Sequence, residues 1–188
     1  MASAYFSNEK FQSINTLEPG EYEDCVFMDC PLTATDLSGL VFDQCRWLRC
    51  DLSTAIINGT AFRDNSFESC KLMGLHFEDA NPFSLSFTFK DCLLQYASFF
   101  RLKIPGTAFL HCQMEEVNLE ETDLRRAVFQ DCNLLNAGFD YANLEETDFR
   151  TAHHFRIHPD RCKIQGARFA AGNLEGLLTH YKIKVEKP

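Results

Sequence analysis

From Leu94 to Phe149 every fifth residue is large and apolar: Leu94, Phe99, Ile104, Phe109, Met114, Leu119, Leu124, Phe129, Leu134, Phe139, Leu144 and Phe149. Two positions before each stands a compact residue, as in Cys92, Ala97, Thr107, Cys112, Val117, Thr122, Ala127 and Cys132, with Leu102 the one large exception. A period of five fits neither the 3.6 of a helix nor the 2.0 of a strand. It points to a solenoid, in which each short repeat buries its apolar residue only by stacking on its neighbours.

The same count runs earlier, through Leu17, Tyr22, Phe27, Leu32, Leu37, Phe42, Trp47, Leu52, Ile57, Phe62, Phe67, Leu72 and Phe77. Residues 1–16 are out of step and read as an irregular N-terminal cap. The count breaks at 79–90, where Pro82 takes a central position and the frame slips by two residues to Phe89. Proline beside a frame shift marks a bulge that displays Pro82 and Phe83, either as a tolerated insertion or as a contact knob. A second irregularity is expected at 152–162, where His154 and Pro159 stand at central positions. Residues 17–172 thus form the solenoid and 173–188 a terminal unit. There Asn173 reads as the cap of a short helix with Leu174, Leu177, Leu178 and Tyr181 on one face, followed by Ile183 and Val185 alternating with lysines.

The 188 residues suit one domain. Neither a charged apolar leader nor an apolar run near 18 residues is present, so no signal peptide or membrane span is expected. All nine cysteines sit two residues before a central position, the place alanine and threonine fill elsewhere. They read as small buried hydrophobes, free thiols of a reducing cytoplasm, rather than a disulfide framework. The net charge of −9 opposes direct binding to nucleic acid. Residues 150–188 carry eight Lys/Arg against three acids, which leaves −14 on residues 1–149. The shaft is acidic and its C-terminal end basic.

Thr35-Asp36-Leu37-Ser38-Gly39, Thr122-Asp123-Leu124-Arg125-Arg126 and Ala142-Asn143-Leu144-Glu145-Glu146 share an A(D/N)Lxx pattern. Over roughly residues 20–175 the chain resembles the pentapeptide-repeat family. The resemblance implies an all-β solenoid, a right-handed quadrilateral β-helix with four repeats per 20-residue coil, here about eight coils and a rod of ~38 Å. Cys30, Cys50 and Cys70 lie 20 apart, as do Cys92, Cys112 and Cys132, which predicts one column of six thiols. Arg125 and Arg126, 20 before Glu145 and Glu146, predict opposite charges stacked on adjacent coils.

No catalytic arrangement is legible, and a filled β-helix offers no cleft, so the reading is of a protein without enzymatic activity or cofactor. His153, His154, His158 and Cys162 match no common zinc spacing and read as a polar cap loop. The tail, from Ala152-His153-His154-Phe155-Arg156-Ile157-His158-Pro159 through Ala167-Arg168-Phe169 and Leu174-Glu175-Gly176-Leu177-Leu178 to Ile183-Lys184-Val185, resembles that of albicidin-resistance and microcin-immunity proteins. Its Leu-Leu and Ile-x-Val elements also resemble Qnr proteins. That resemblance implies a DNA-mimicking homodimer that binds DNA gyrase or topoisomerase IV and relieves a topoisomerase poison, conferring antibiotic resistance or immunity. It places the dimer interface at Leu174, Leu177, Leu178, Tyr181, Ile183 and Val185. The shaft acids Glu115, Glu116, Glu120, Glu121, Asp123, Asp140, Glu145 and Glu146 then form the partner-binding face. The alternative is an interaction scaffold with an unrelated protein partner.

Overall fold

The computed structural model describes residues 4–181 together with 183 and 184; Val185 of the expected interface lies outside the described residues. Eleven short strands are all paired in parallel. Ala4–Ser7 (β1), Gly20–Glu23 (β3), Val41–Asp43 (β5) and Ala61–Arg63 (β7) line one side of a tube. Lys10–Gln12 (β2), Val26–Met28 (β4), Arg46–Leu48 (β6), Asn65–Glu68 (β8), Phe87–Lys90 (β9), Ala108–Leu110 (β10) and Val128–Gln130 (β11) line the next. Isolated parallel bridges complete the other sides: Pro31–Asp51–Lys71–Leu93–Gln113–Asn133 on the third, and Asp36–Ile56 then His76–Ser98–Asn118–Gly138 on the fourth. Leu94, Met114 and Leu134 therefore share a side, as the count in fives requires.

The register shows how five residues make a side. The central residue and the one two before it face inward, as alternation along an extended backbone dictates. The second residue after nearly every centre takes a left-handed conformation and turns the corner: Asp24, Asp29, Gln44, Arg49, Glu116, Glu121, Asp131 and Glu146 all have φ between 52° and 59°. Gly39 and Gly106, at the same corner position with φ of 71° and 75°, take it without the steric cost a Cβ imposes.

The interior is a solid stack. Phe11, Phe27, Trp47, Phe67, Phe89, Phe109, Phe129, Phe149 and Phe169 lie face to face along the second side, with centroids 4.1–5.8 Å apart. Leucines, Met114 and phenylalanines fill the third and fourth sides. The compact residues are more than fillers. Most of the buried Cys, Thr and Asn among them donate to the backbone carbonyl of a central residue on the coil below, as in Cys132 Sγ to Phe109 O at 3.3 Å, Thr122 Oγ1 to Phe99 O at 2.7 Å and Asn65 Nδ2 to Phe42 O at 2.9 Å. All nine cysteines are buried and free. Burial pushes the Cys45 thiol up to about 12.

Four expectations change. The count of about eight coils falls to about six complete ones: the third and fourth sides each carry six inward centres, Leu32 to Leu134 and Leu37 to Phe139. At the N-terminus, residues 4–16 form a shortened coil rather than an irregular cap. Phe6 pairs with Tyr22 and Phe11 with Phe27, a register of 16 instead of 20. Near 152–162 the chain does not lose its core but shifts by one residue. His154, left-handed at φ 62°, turns outward and Phe155 enters the interior in its place, while Ile157 keeps the regular inward position two before residue 159. The C-terminal unit is a 3-10 turn over Ala171–Leu177 and a second over Thr179–Tyr181. Asn173 does not cap it; its Nδ2 donates to the carbonyls of Phe149 and Ala152 and so fastens the turn to the last coil. A 3-10 turn winds three residues per turn, which scatters the expected apolar face: Leu177 and Leu178 are half-buried, Leu174, Tyr181 and Ile183 exposed.

The break behaves as its numbering demands. Phe67 pairs with Phe89 across 22 residues, Phe87 packs inside against Phe62, Phe67 and Phe77, and Phe83 stands out at 79 % exposure. It interrupts the first side after β7, which resumes at Lys103–Asp123–Asn143–Lys163.

Candidate functional site

The corners decide where the shaft's charges stand. Glu115 and Glu116 follow Met114 and occupy the corner between the third and fourth sides; Glu120 and Glu121 follow Leu119 and occupy the next corner. Asp140 lies one coil beyond Glu120, and Glu145 and Glu146 turn a third corner after Leu144. The eight acids therefore form a belt over three corners, not a single flat face.

Their electrostatic states differ. Arg101 forks onto Glu121 with distances of 2.8 and 3.0 Å and holds its carboxyl below the usual range. Arg125 forks onto Asp123 and lowers it likewise. Arg161 bonds Asp140. Glu115 Oε1 accepts from Asn133 Nδ2 at 2.7 Å, and its Oε2 is buried without a partner. Glu116, Glu120, Glu145 and Glu146 make no side-chain hydrogen bond or ion pair among the described residues. Opposite-charge stacking across a coil does occur, in Asp29–Arg49, Asp43–Arg63 and Glu121–Arg101. The expected Arg125/Arg126 to Glu145/Glu146 ladder is not formed. Asp123, two residues away on the same coil, offers Arg125 a two-pronged carboxylate and wins.

Between the first two corners the fourth side is nearly bare. Ser98, Asn118 and Gly138 succeed one another along it, and Glu116 and Glu120 edge a shallow depression of about 410 Å³ with Asn136 and Gly138. Tyr96, Leu135 and Tyr141 are exposed after the centres Leu94, Leu134 and Phe139, and Leu135 also lines the cavity beside the 3-10 turn. Sequence reading missed these three because corner positions carry no periodic signal; their size at an outward place is the only sign.

The histidines are split. His153 and His154 meet edge to face with centroids 4.9 Å apart, while His158 stacks on His180 at 4.4 Å. Cys162 is buried, its Sγ bonded to the Phe139 carbonyl. Among the described residues no group of three or more His, Cys, Asp and Glu is arranged to hold a metal ion. The expectation of no cleft fails at one place. The tube is solid, but a cavity of about 550 Å³ lies outside its wall, between the last coil and the 3-10 turn, with His153, His154 and Arg156 on one flank. It is edged by His154, which the one-residue shift turns outward, and by residues 153 and 156, which already face out in the regular frame.

Residues 103–178 match the family model described as pentapeptide repeat region. Among solved structures the chain is similar to a trypsin-treated QnrB1, a plasmid-mediated fluoroquinolone resistance protein, at 19% identity over 98% of each chain with a TM-score of 0.49. It is also similar to HetL of the cyanobacterium Nostoc, a pentapeptide-repeat protein involved in heterocyst differentiation regulation, at 15% identity over 87% of this chain and 81% of that one with a TM-score of 0.40. A third, a pentapeptide-repeat protein of the Arabidopsis thaliana thylakoid lumen, shares 21% identity over 66% of this chain and 70% of its own with a TM-score of 0.29. Among curated proteins none matches. No helix of the described residues is long and apolar enough to cross a membrane. Residues 103–178 are thus a pentapeptide-repeat region, and the same five-residue sides run through the coils before it.

Proposed function

We propose that this protein is a surrogate of duplex DNA that binds DNA gyrase or topoisomerase IV in the cytoplasm and protects it from a poison. One observation carries the reading: four carboxylates, Glu116, Glu120, Glu145 and Glu146, stand without a partner among the described residues at successive corners of a solid rod. Duplex DNA presents about one negative charge per 1.7 Å of its axis. Coils rise ~4.8 Å each, so one side chain per corner falls short of that density, and charges from neighbouring corners must be read together. The −14 on residues 1–149 supplies them. The tail resemblance gives the partner. It also gives the dimer, through Leu174, Leu177, Leu178, Tyr181 and Ile183, with Val185 beyond the described residues. Pro82 and Phe83, projecting at the break, are a further contact with the same partner. The protein does no chemistry in this role; it occupies a surface built for DNA.

The test is competition. The purified protein binds immobilised gyrase or topoisomerase IV, and duplex DNA displaces it. Binding that DNA leaves untouched, or none to either enzyme, favours the second reading, a scaffold with an unrelated partner. The exposed Tyr96, Leu135 and Tyr141 favour that second reading, since a phosphate backbone has no counterpart for them.

A further inference from the structure

The cavity between the last coil and the 3-10 turn is no part of the acidic belt, although the same turn carries the proposed dimer residues Leu177 and Leu178. Its volume of about 550 Å³ lies within the ~300–1,000 Å³ of small-molecule sites. One flank comes from the coil: the rings of His153 and His154, the edge of Phe155, and Arg156. The other comes from the turn: Gly172, Asn173, Glu175 and Gly176. A second recess of about 320 Å³ is lined by the same Arg156, Glu175 and Thr179.

Three features suit a ligand. Arg156, like Arg46 and Arg126, makes no ion pair or side-chain hydrogen bond among the described residues, whereas Arg101, Arg125, Arg150 and Arg161 are each engaged by a carboxylate. A guanidinium beside two exposed imidazoles matches an anionic group carried on a flat apolar body. The glycines divide their roles. Gly176 is needed for packing, because a Cβ there would lie 2.4 Å from the Phe155 carbonyl oxygen. Gly172 has no such need: its φ is not in the left-handed region, and a Cβ there meets nothing within 4 Å. Its missing side chain leaves the cavity open. Glu175 on the turn adds one negative charge, which selects against a ligand carrying two.

We propose that this cleft is a binding site for a small aromatic acid with a single negative charge, a monocarboxylate held by Arg156 with its ring against the exposed His153–His154 pair. The site is independent of the topoisomerase surface, since none of the belt acids lines it.

The experiment titrates the full chain with benzoate, benzamide and phenyl phosphate and follows backbone amide shifts by NMR. Benzoate is expected to move residues 153–156 and 172–176 saturably, with benzamide and phenyl phosphate each binding at least about tenfold more weakly. Arg156→Gln should weaken benzoate about tenfold, and Gly172→Leu, which fills the recess without backbone strain, should abolish the shifts while the shaft resonances of both variants stay in place. Equal affinity for benzamide, unchanged binding in either variant, or shifts scattered over the lysines and arginines of the shaft would overturn the assignment. Tighter binding of phenyl phosphate than of benzoate would overturn the single charge.

Discussion

The indole Nε1–H of Trp47 donates to Asn65 Oδ1 at 3.0 Å inside the aromatic stack. Asn65 in turn gives both its own N–H groups to backbone, to Phe42 O at 2.9 Å and Arg63 O at 3.0 Å. It stands where other coils place Cys, Thr or Ala, and it is the one buried amide among these positions. The tryptophan explains it: an indole buried at 0 % exposure needs an acceptor that a thiol or methyl cannot supply.

Asn65→Cys restores the residue type usual at this place but strands the indole N–H. It should cost roughly 1–3 kcal/mol in chemical unfolding. Trp47→Phe in the same chain removes the stranded donor, and the pair together should lose clearly less than the sum of the two single changes. An additive pair would show that the bond carries no coupling energy.

Cys45 and Tyr22 predict the alkaline limb of stability. Burial pushes both the thiol and the phenol up to about 12, from ordinary values of 9 and 10. Their neutral forms are favoured in the fold, so this stabilisation is complete below pH 9 and is lost as pH rises toward 12, where the unfolded chain releases protons the native one keeps. The urea midpoint in reducing buffer should fall over that window, and less steeply in Cys45→Ala. A midpoint independent of pH there would mean the thiol is not desolvated.

Glu116 and Glu146 sit at corners with φ of 57° and 59°. Glycine takes that conformation without strain, though it gains freedom when unfolded, so Glu116→Gly and Glu146→Gly should leave stability unchanged or raise it by up to about 1 kcal/mol. Binding to the topoisomerase should nevertheless weaken several-fold for each. Thr54→Gly, at an equivalent corner with φ 53° away from the belt, is the control and should alter stability alone. If all three variants bind alike, the belt is not the contact surface.

Leu178 is half-buried at the terminal turn and borders the smaller recess. Light scattering should give twice the 21.6 kDa chain mass for the native protein and the single mass for Leu178→Arg. A dimer that survives the substitution places the interface elsewhere.

The sides were legible because inward residues recur in register: Phe67 finds Phe89 across 22 residues in the fold as it does in the counted frame. The corners were not. Glu121 and Asp123 look equally free on paper, yet Arg101 and Arg125 engage them, and only coordinates distinguish these from Glu116 and Glu120. The ends were misread for a related reason. With a neighbouring coil on only one side, local choices take over, such as the 16-residue first coil and the outward turn of His154. The donor role of the compact residues was hidden because Cys, Thr and Ala differ little in size, while their hydrogen bonds reach 23 residues back.

The account stands or falls on whether a topoisomerase takes this rod for DNA. Purified protein titrated into gyrase and topoisomerase IV reactions containing a cleavage-stabilising poison should restore strand closure in at least one of them, and a chain with Glu115, Glu116, Glu120 and Glu121 all changed to Gln should need several-fold more protein for the same effect. Cleavage that stays at its starting level across the titration, with both enzymes, would contradict it.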